Sequence, residues 1–596
     1  MTADRRMNLK RVPAAGTLVI LAAAALAVSP QLIWGDSCGH DFDFHLVSWF
    51  DALNSWRHGI LYPHWTPGAN FGAGEPRFVF YSPLTWMLGA VLASVLPWSL
   101  VPLAITFVLL AGTGLATRAL AREALSEGAA SLAGCIAIFS GYPLFTAFER
   151  SAFAELAGGI WIPLVLLYAL RISDERSASA ADWRRIFNGS IAPLAVTIAC
   201  AWLSNPTVGV MACYTLAALA IVSASLQRSW WPAVQAAAGA LLGIGLSAIY
   251  LLPAAWEQRW VDIHQVTEDA GQTLENNWLF AHHADPALAL HDEVLHTASS
   301  IAVAMIALTF CALLLCKLRG RLPVLRSWWI PLALIPIAVL FLQFPVSGSL
   351  WNLLPDLRFL QFPWRWLLVL EAPMAVFLAA ALWPETGARR ARIFAIAVSS
   401  AIFICITAGA GKYLYQACNA EDTVPGMLSV LQAGKGYDGT FEYEPIGGDI
   451  SLIAMNLPQA CLVSDPNTAL GKNDADGELI WDAVQGTCEA TFAVSQNSSP
   501  EHLHISGTAP HPAFLILRKL TYPAWRVTLN GQSISPSPAR QDGLMVVAIP
   551  HGAFNLSVDW ITTRDVVLAR WLSALSVFVL TGLCLFENKL KQARLS

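Results

Sequence analysis

The chain has 596 residues, of which 56% are hydrophobic and 13% charged, with 24 Trp, 27 Phe, a net charge of -5 and a mean hydropathy of +0.52. A soluble protein of this length would be expected to form several domains with charged surfaces, and this composition excludes that class; with no basic stripe, it also argues against nucleic acid as a partner. Instead, runs of roughly 20 apolar residues recur, each long enough to cross a bilayer core of ~30 Å as a helix.

The N-terminus, "MTADRRMNLKR" followed by "VPAAGTLVILAAAALAVSPQLIW", resembles a signal peptide. Its apolar part is long for one, and we read it as an uncleaved first helix over 13–34. It opens onto "GHDFDFHLVSWFD", which gathers His40, Asp41, Asp43, His45 and Asp51. In an extended segment Asp41 and Asp43 would share a side; in a helix Asp41 and His45 would share a face. Either arrangement suits a divalent cation (Mg, Mn or Ca) or a base beside an acceptor hydroxyl. A solvated acidic loop is the plain alternative. The following stretch, "RHGILYPHWTPGANFGAGEPRFVFYSPL", is rich in Gly, Pro and aromatic residues. Interfacial aromatics are ordinary in membrane proteins, but a loop of nearly 50 residues is too long for an idle connector. The apolar segment 83–97 is bracketed by Pro83 and Pro97 and reaches only ~22 Å as a helix. It is expected to lie at the interface or to re-enter, not to span.

Further spans are expected at 99–121, 129–147, 153–172, 188–204, 206–226, 233–254, 298–316, 328–345, 364–383, 393–410 and 566–586, which makes twelve with the first. The basic residues orient them. With the N-terminus cytoplasmic (Arg5, Arg6, Lys10, Arg11), the same side receives Arg118 and Arg122; Arg171, Arg176, Arg184 and Arg185; Arg228; Lys317, Arg319, Arg321 and Arg326; Arg389, Arg390 and Arg392; and Lys589, Lys591 and Arg594. Regions 35–98, 255–297, 346–363 and 411–565 then face outward.

Several groups on that outer side carry chemistry. In "AFERSAFAEL", Glu149 and Arg150 sit at a corner and Glu155 in the first turns of a helix. Acids there are favoured by the helix dipole, and equally a carboxylate can guard the mouth of a cavity. The loop 255–297 holds eight acids, one Arg and five His. His282, His283, Asp285, His291 and Asp292 are conceivable metal ligands without any ordered zinc spacing. A polar outer loop, acting as a lid, is the simpler reading. In "LWNLLPDLRFLQFPWRWLLVLE", Arg358 and Arg365 are placed to grip a lipid phosphate or merely to snorkel. Glu371 lies within a span, where an acid is costly and is expected to face a cavity or a partner.

From about 420 the chain becomes alternating and turn-rich. "AFLILRKL", "AWRVTL-NG-QSI", "GLMVVAI" and "AFNLSVDW" read as strands, with Asn530-Gly531 as a type I′ hairpin signal. A β-sandwich-like domain over 411–565 is expected, between a transmembrane domain over 1–410 and a last helix with its tail over 566–596. Cys461 and Cys488 are candidates for a disulfide, although connectivity is not written in sequence. The cysteines in or beside apolar runs read as buried small hydrophobes.

Taken together, "GHDFDFH…RHGILYPHW…NFGAGEPRFVFYSPL", "ERSAFAE" and "LPDLRFLQFPWRWL" resemble the bacterial 6-pyruvoyl-tetrahydropterin synthase-related membrane family, although nothing here looks like a soluble pterin synthase. The ending "LTYPAWRVTLNGQ…GLMVVAIPHGAFNLSVDW" resembles YfhO-like membrane proteins. Both look like members of the C-type glycosyltransferase (GT-C) superfamily. That resemblance implies a polytopic α-helical fold, an acidic motif in the first outer loop, juxtamembrane helices, and a polyprenyl-phosphate-linked sugar donor. It further implies a glycan, lipid or protein acceptor, surrounding membrane lipids, and a place in the bacterial cytoplasmic membrane. Carried over by residue, Asp41 and Asp43 become candidate base or cation ligands, with Glu155 a second acid. His45, Tyr81, Arg150, Arg358, Gln361 and Arg365 become candidate substrate-binding residues. The expected activity is glycosyl transfer at the outer membrane face. The alternatives are a lipid or polysaccharide transporter or flippase, in which inverted repeats would be expected, and a non-catalytic scaffold of envelope assembly.

Overall fold

The computed structural model describes residues 14–172, 190–323, 325–384, 389–475, 477–482, 487–496, 498–535 and 540–593. Of the basic residues used for orientation, Arg5, Arg6, Lys10, Arg11, Arg176, Arg184, Arg185 and Arg594 lie outside the described residues, as do the side chains of Lys589 and Lys591.

Every apolar run read from the sequence is helical. Among the described residues, seven helices are long and apolar enough to cross a membrane: Trp98–Ala121, Phe153–Ile172, Pro206–Gln227, Pro286–Leu318, Pro363–Leu382, Arg389–Tyr413 and Arg564–Phe586. Three bent pairs bring the number to ten: Glu127–Ile138 with Tyr142–Glu149 (42°), Trp231–Leu246 with Ala248–Trp260 (73°) and Arg326–Leu342 with Pro345–Leu353 (100°). The expected twelve would also need Ala15–Ala27 and Ile191–Ser204, which are shorter. Two of the bends have local causes. Gly141, at φ +100°, and Pro143 interrupt the first, and Phe344 is held extended ahead of Pro345 in the third. Pro363–Leu382 is the most buried of the long apolar helices and Arg389–Tyr413 the least. Helices pack closely where small residues meet: a Cβ on Gly134 would lie 2.5 Å from the Gly114 carbonyl oxygen.

The loop over 35–98 is built, not loose. It contains the helix Phe42–Arg57 and the short helix Pro83–Val95, which face one another so closely that a side chain on Gly89 would collide with the Trp49 indole. The loop 255–297 is likewise organised into short turns. Its last residues already belong to the long helix Ala289–Leu318, so His291 and Asp292 stand in that helix's first turns.

Strands begin at 460, later than the change in character at about 420 suggests. Val424–Gln432 is a helix, because Val424, Met427, Leu428 and Leu431 follow the helical period and the Thr423 hydroxyl caps the Gly426 N–H at 3.2 Å. The strands are β1 (Ala460–Val463), β2 (Lys472–Asn473), β3 (Leu479–Ile480), β4 (Ala490–Phe492), β5 (His502–Ala509), β6 (Ala513–Leu520), β7 (Trp525–Leu529), β8 (Gln532–Ile534), β9 (Leu544–Ile549) and β10 (Gly552–Trp560). They form two four-stranded antiparallel sheets, β4-β1-β6-β9 and β5-β10-β7-β8, and a small β2-β3 pair. Leu515 and Val546 of the first sheet and Ile505, Val527 and Leu556 of the second share one apolar cluster. Asn530 (φ 52°) and Gly531 (φ 84°) turn β7 into β8, with Leu529 opposite Gln532, as the Asn-Gly signal requires.

Two disulfides are present. Cys461–Cys488 is the pair suggested by sequence. Cys38–Cys418, across 380 residues, was not suggested.

Candidate active site in an outer-loop cavity

Residues 36–41, 148–151 and 415–418 are stitched together. Ser37 Oγ donates to the Phe148 carbonyl at 2.7 Å, and Ser151 Oγ donates to the Ser37 carbonyl at 2.7 Å. The Cys38 N–H donates to the Gln416 carbonyl at 2.9 Å beside the Cys38–Cys418 bond. Gly39 is required here, because a Cβ would come within 2.5 Å of the Glu149 carbonyl oxygen. The Asp41 N–H then donates to the Arg150 carbonyl at 2.8 Å. The corner that supplies Arg150 is itself unusual: Phe145–Glu149 winds as a π-helix, a form concentrated at functional sites. These contacts hold the start of the loop 35–98 against the corner that precedes the apolar helix Phe153–Ile172. Replacing Cys38 and Cys418 together by Ser should cost about 2–4 kcal/mol. A lower apparent melting temperature in detergent checks this; an unchanged one would mean the hydrogen bonds alone hold the junction.

A cavity of about 1280 Å³ opens at this junction, and Asp41, Tyr81, Arg150, Glu155, Gln361 and Arg365 line it. Glu155 is fully buried at its floor. Its Oε2 accepts from Arg150 Nη1 at 2.6 Å and from Arg365 Nε at 3.2 Å, and its Oε1 accepts from the Tyr142 hydroxyl. Arg365 Nη1 also donates to the Leu360 carbonyl at 2.8 Å and to Gln361 Oε1 at 3.0 Å. Arg150 lies over the Trp364 ring at 4.9 Å and Arg365 over Phe362 at 4.7 Å. Two arginines thus share one glutamate. Asp41 stands 3.9 Å from Arg150, with its carboxylate 42% exposed. Gln361 adopts a left-handed φ of 59°, and its amide donates to the Val266 carbonyl at 2.6 Å and to Gln272 Oε1 at 2.7 Å, which fastens the loop 255–297 over one wall.

Other expected residues lie elsewhere. The chain is already helical from Phe42, so Asp41 caps the helix and Asp43, two positions on, faces away from the cavity lining. Asp43 Oδ1 accepts from the Phe44 N–H at 2.6 Å. Among the described residues no three His, Cys, Asp or Glu side chains gather as metal ligands. Asp41 and Asp43 are thus two carboxylates without a third such side chain grouped beside them. His45 is 1% exposed, packed edge-on to Phe153 at 5.1 Å and Tyr81 at 5.9 Å. Burial pushes its imidazole down to about 3, with the Arg77 and Arg150 charges adding to the effect, so it stays neutral. Arg358 is exposed, paired with Glu275 and outside the cavity wall. Glu371 is buried with neither carboxylate oxygen partnered, also away from the cavity wall. His282 and His283 both meet Asp292, at 2.7 and 2.6 Å.

The cavity also contains residues that were not among the expected catalytic or substrate-binding ones. His40, next to Asp41, lines it with its imidazole held down chiefly by burial. Glu442, Thr440 and Tyr443 reach it from the segment after the helix Val424–Gln432, and burial raises Glu442 to about 7. No motif surrounds these three; only the fold brings them in. The segment that carries them is clasped to the first loop. Glu75 accepts from the Thr440 N–H at 2.8 Å and from Arg77 Nε at 2.6 Å, and Asp51 accepts from the Tyr437 hydroxyl at 2.6 Å. The lining is acidic overall, with Glu149, Glu293 and Asp356 added to Asp41, Glu155 and Glu442. An anionic ligand group is therefore favoured only at the Arg150-Arg365 end.

No curated protein is significantly similar to the chain in sequence. Among solved structures it is similar to the Archaeoglobus fulgidus oligosaccharyltransferase. Tethered with an acceptor peptide containing the NVT sequon, that protein gives a TM-score of 0.40 at 14% identity, over 73% of this chain and 60% of that one. The apo form gives 0.41 at 15% identity, over 72% and 61%. The complex with Zn and sulfate gives 0.36 at 15%, over 72% and 58%. This chain thus spans about three fifths of that enzyme's length. The family model described as "6-pyruvoyl-tetrahydropterin synthase related domain; membrane protein" matches residues 78–413, which take in Tyr81, Arg150, Glu155, Gln361 and Arg365. That match covers more than half of the chain, and the protein belongs to this family of membrane proteins.

Proposed function

We propose that the protein is a membrane glycosyltransferase that moves a sugar from a polyprenyl-phosphate-linked donor to a hydroxyl acceptor at the outer face of the bacterial cytoplasmic membrane. The termini are cytoplasmic and the β-rich region lies outside. The observation that carries this reading is the meeting of a solvent-accessible acid, Asp41, with a buried arginine pair, Arg150 and Arg365, on one cavity at the outer end of the apolar helices. The disulfides on segments 38–418 and 461–488 agree with an oxidising, outward location for both.

In this reaction the acceptor O–H gives its proton to the Asp41 carboxylate as its oxygen attacks the anomeric carbon. The carbon–oxygen bond to phosphate breaks, and the phosphate leaves with the electron pair on the face opposite the attack, so configuration inverts. Glu155 compensates one of the two guanidinium charges, and Asp41, 3.9 Å from Arg150, loses its own charge as it takes the proton, so Arg150 and Arg365 present a positive charge to the developing phosphate anion. Tyr81 bounds the cavity beside Asp41, and Gln361 holds Arg365 in register.

The three bent apolar pairs favour a second reading, transport, because broken helices often line substrate paths. Purified protein in liposomes, given a radiolabelled polyprenyl-phosphate sugar and a mixture of hydroxyl acceptors, separates the two. Label appearing on an acceptor supports transfer. Label that only changes leaflet, with the donor intact, overturns transfer in favour of transport.

A further inference from the structure

A second cavity, of about 510 Å³, lies on the other side of the clasp, between the first outer loop, the 434–436 turn and β6. This is within the size range of small-ligand sites. Lys519 lies in its wall and is only 6% exposed. A lysine so placed on a strand is expensive unless paired, yet among the described residues its ammonium makes no ion pair. Its neighbours are the Trp525 ring at 4.0 Å and the Trp65 ring at 5.1 Å. Burial pulls it down to about 7, against the charge of Glu501. Arg518 stands beside it in the same wall. Its Nη1 donates to the Leu457 carbonyl at 3.0 Å, while its Nε is buried without a partner. Gly72, at φ +93°, lets the guanidinium lie flat against the loop, since a Cβ there would be 3.1 Å from Arg518 Cζ. The acid in this wall, Asp51, accepts from the Tyr437 hydroxyl at 2.6 Å and the Gly68 N–H at 3.3 Å and makes no ion pair with either cation. Glu501 accepts the His64 N–H at 3.0 Å and acts on Lys519 through its charge without an ion-pair contact. Asn54, Gln459, Ser498 and Ser499 complete the wall with amides and hydroxyls, the partners that sugar hydroxyls use.

We propose that this cavity binds an acidic saccharide, with a carboxylate or phosphate group held at the part of the wall that Arg518 and Lys519 form and the sugar hydroxyls on the surrounding amide and hydroxyl side chains. The site is separate from the Asp41 cavity and stands whether or not transfer occurs there. An anion supplies the direct ion-pair contact that Lys519 lacks within the protein, which explains a lysine where a methionine would pack.

The full-length protein in detergent micelles is titrated with trigalacturonic acid, glucose 1-phosphate, maltotriose and inorganic phosphate, read by quenching of tryptophan fluorescence and by calorimetry. The acidic trisaccharide or the sugar phosphate should bind at least about tenfold tighter than neutral maltotriose, the loss expected for one charge-assisted contact. Preference between these two identifies the group as carboxylate or phosphate. Lys519→Met should weaken that binding about tenfold or more, and Arg518→Gln gives the same readout should the first variant not fold. Asp41→Asn should leave it unchanged. Equal binding of maltotriose, binding of inorganic phosphate with neither acidic sugar, or binding that survives Lys519→Met but not Asp41→Asn would each overturn the proposal.

The ligand-free protein supplies a second check. Lys519 falls from 10.5 to about 7 in the folded state, so between these values the unfolded chain binds the extra proton and stability rises with pH. The melting temperature of the wild type relative to Lys519→Met should therefore climb between about pH 7 and pH 10. The difference removes the contributions of Arg518, Asp51, His58, His64 and Glu501, which both proteins share. A flat difference would mean that Lys519 is not held unpaired.

Discussion

Glu155→Gln is expected to destabilise the protein by about 3–5 kcal/mol, the cost of removing one member of a buried ionic group. Glu155 is the single anion bonded to Arg150 and Arg365, and both arginines are under 10% exposed. Glutamine keeps the volume and one acceptor oxygen, so packing and one hydrogen bond survive while the charge is lost. Two guanidinium groups would then face each other across the site with only Asp41, 3.9 Å from Arg150, as nearby compensation. Denaturation followed by tryptophan fluorescence measures the loss. The same variant tests the assignment of this pole as the phosphate end: millimolar inorganic phosphate should restore part of the lost stability in Glu155→Gln and stabilise the wild type by less, because Glu155 already compensates one of its two guanidinium charges. A variant as stable as the wild type would remove Glu155 from its structural role. Destabilisation that phosphate leaves untouched would remove the arginine pair from the donor site.

The reason Glu155, Arg150 and Arg365 could be picked from sequence while their arrangement could not lies in the kinds of signal involved. Apolar runs of span length are local, and each one became a helix. The Asn530-Gly531 turn is also local, and its hairpin formed in the expected register. A charged residue beside an apolar run is conspicuous for the same reason, which drew attention to Glu155 and Arg365. Which charges meet depends on helix packing: 210 residues separate Glu155 from Arg365. The clasp is still less legible. Cys38–Cys418 and Asp51–Tyr437 join positions 380 and 386 residues apart, and nothing in "GKGYDGT" announces that its tyrosine reaches the first loop. Glu442 escaped notice because its surroundings, not its neighbours in sequence, raise its carboxyl to about 7. At "HDFDFH" the motif spacing suggests a paired site, but spacing does not say where a helix starts. The helix begins at Phe42, so it separates Asp41 from Asp43 around its axis and buries His45 against Phe153 and Tyr81.

That separation makes the first outer loop testable at single residues. Asp41→Asn should reduce glycosyl transfer about 10²- to 10⁴-fold, the usual contribution of a positioned general base, while stability changes by less than about 0.5 kcal/mol. The second expectation follows from the local structure. Asp41 occupies the N-cap position of Phe42–Arg57 without making a side-chain cap hydrogen bond, asparagine is an equally good cap, and the carboxylate is 42% exposed with Arg150 at a loose 3.9 Å, where an ion pair contributes little. The backbone bond from the Asp41 N–H to the Arg150 carbonyl is unaffected by the change. The loss should fall on kcat and not on the KM for donor, because Arg150, Arg365 and Glu155 remain in place. A rise in the donor KM with kcat preserved would instead mean that Asp41 acts by orienting Arg150. Asp43→Asn is the matched control: same chemistry, two residues away, turned from the cavity. It should retain transfer. Equal losses from both variants would restore the two aspartates as a working pair and overturn the assignment of the base to Asp41 alone.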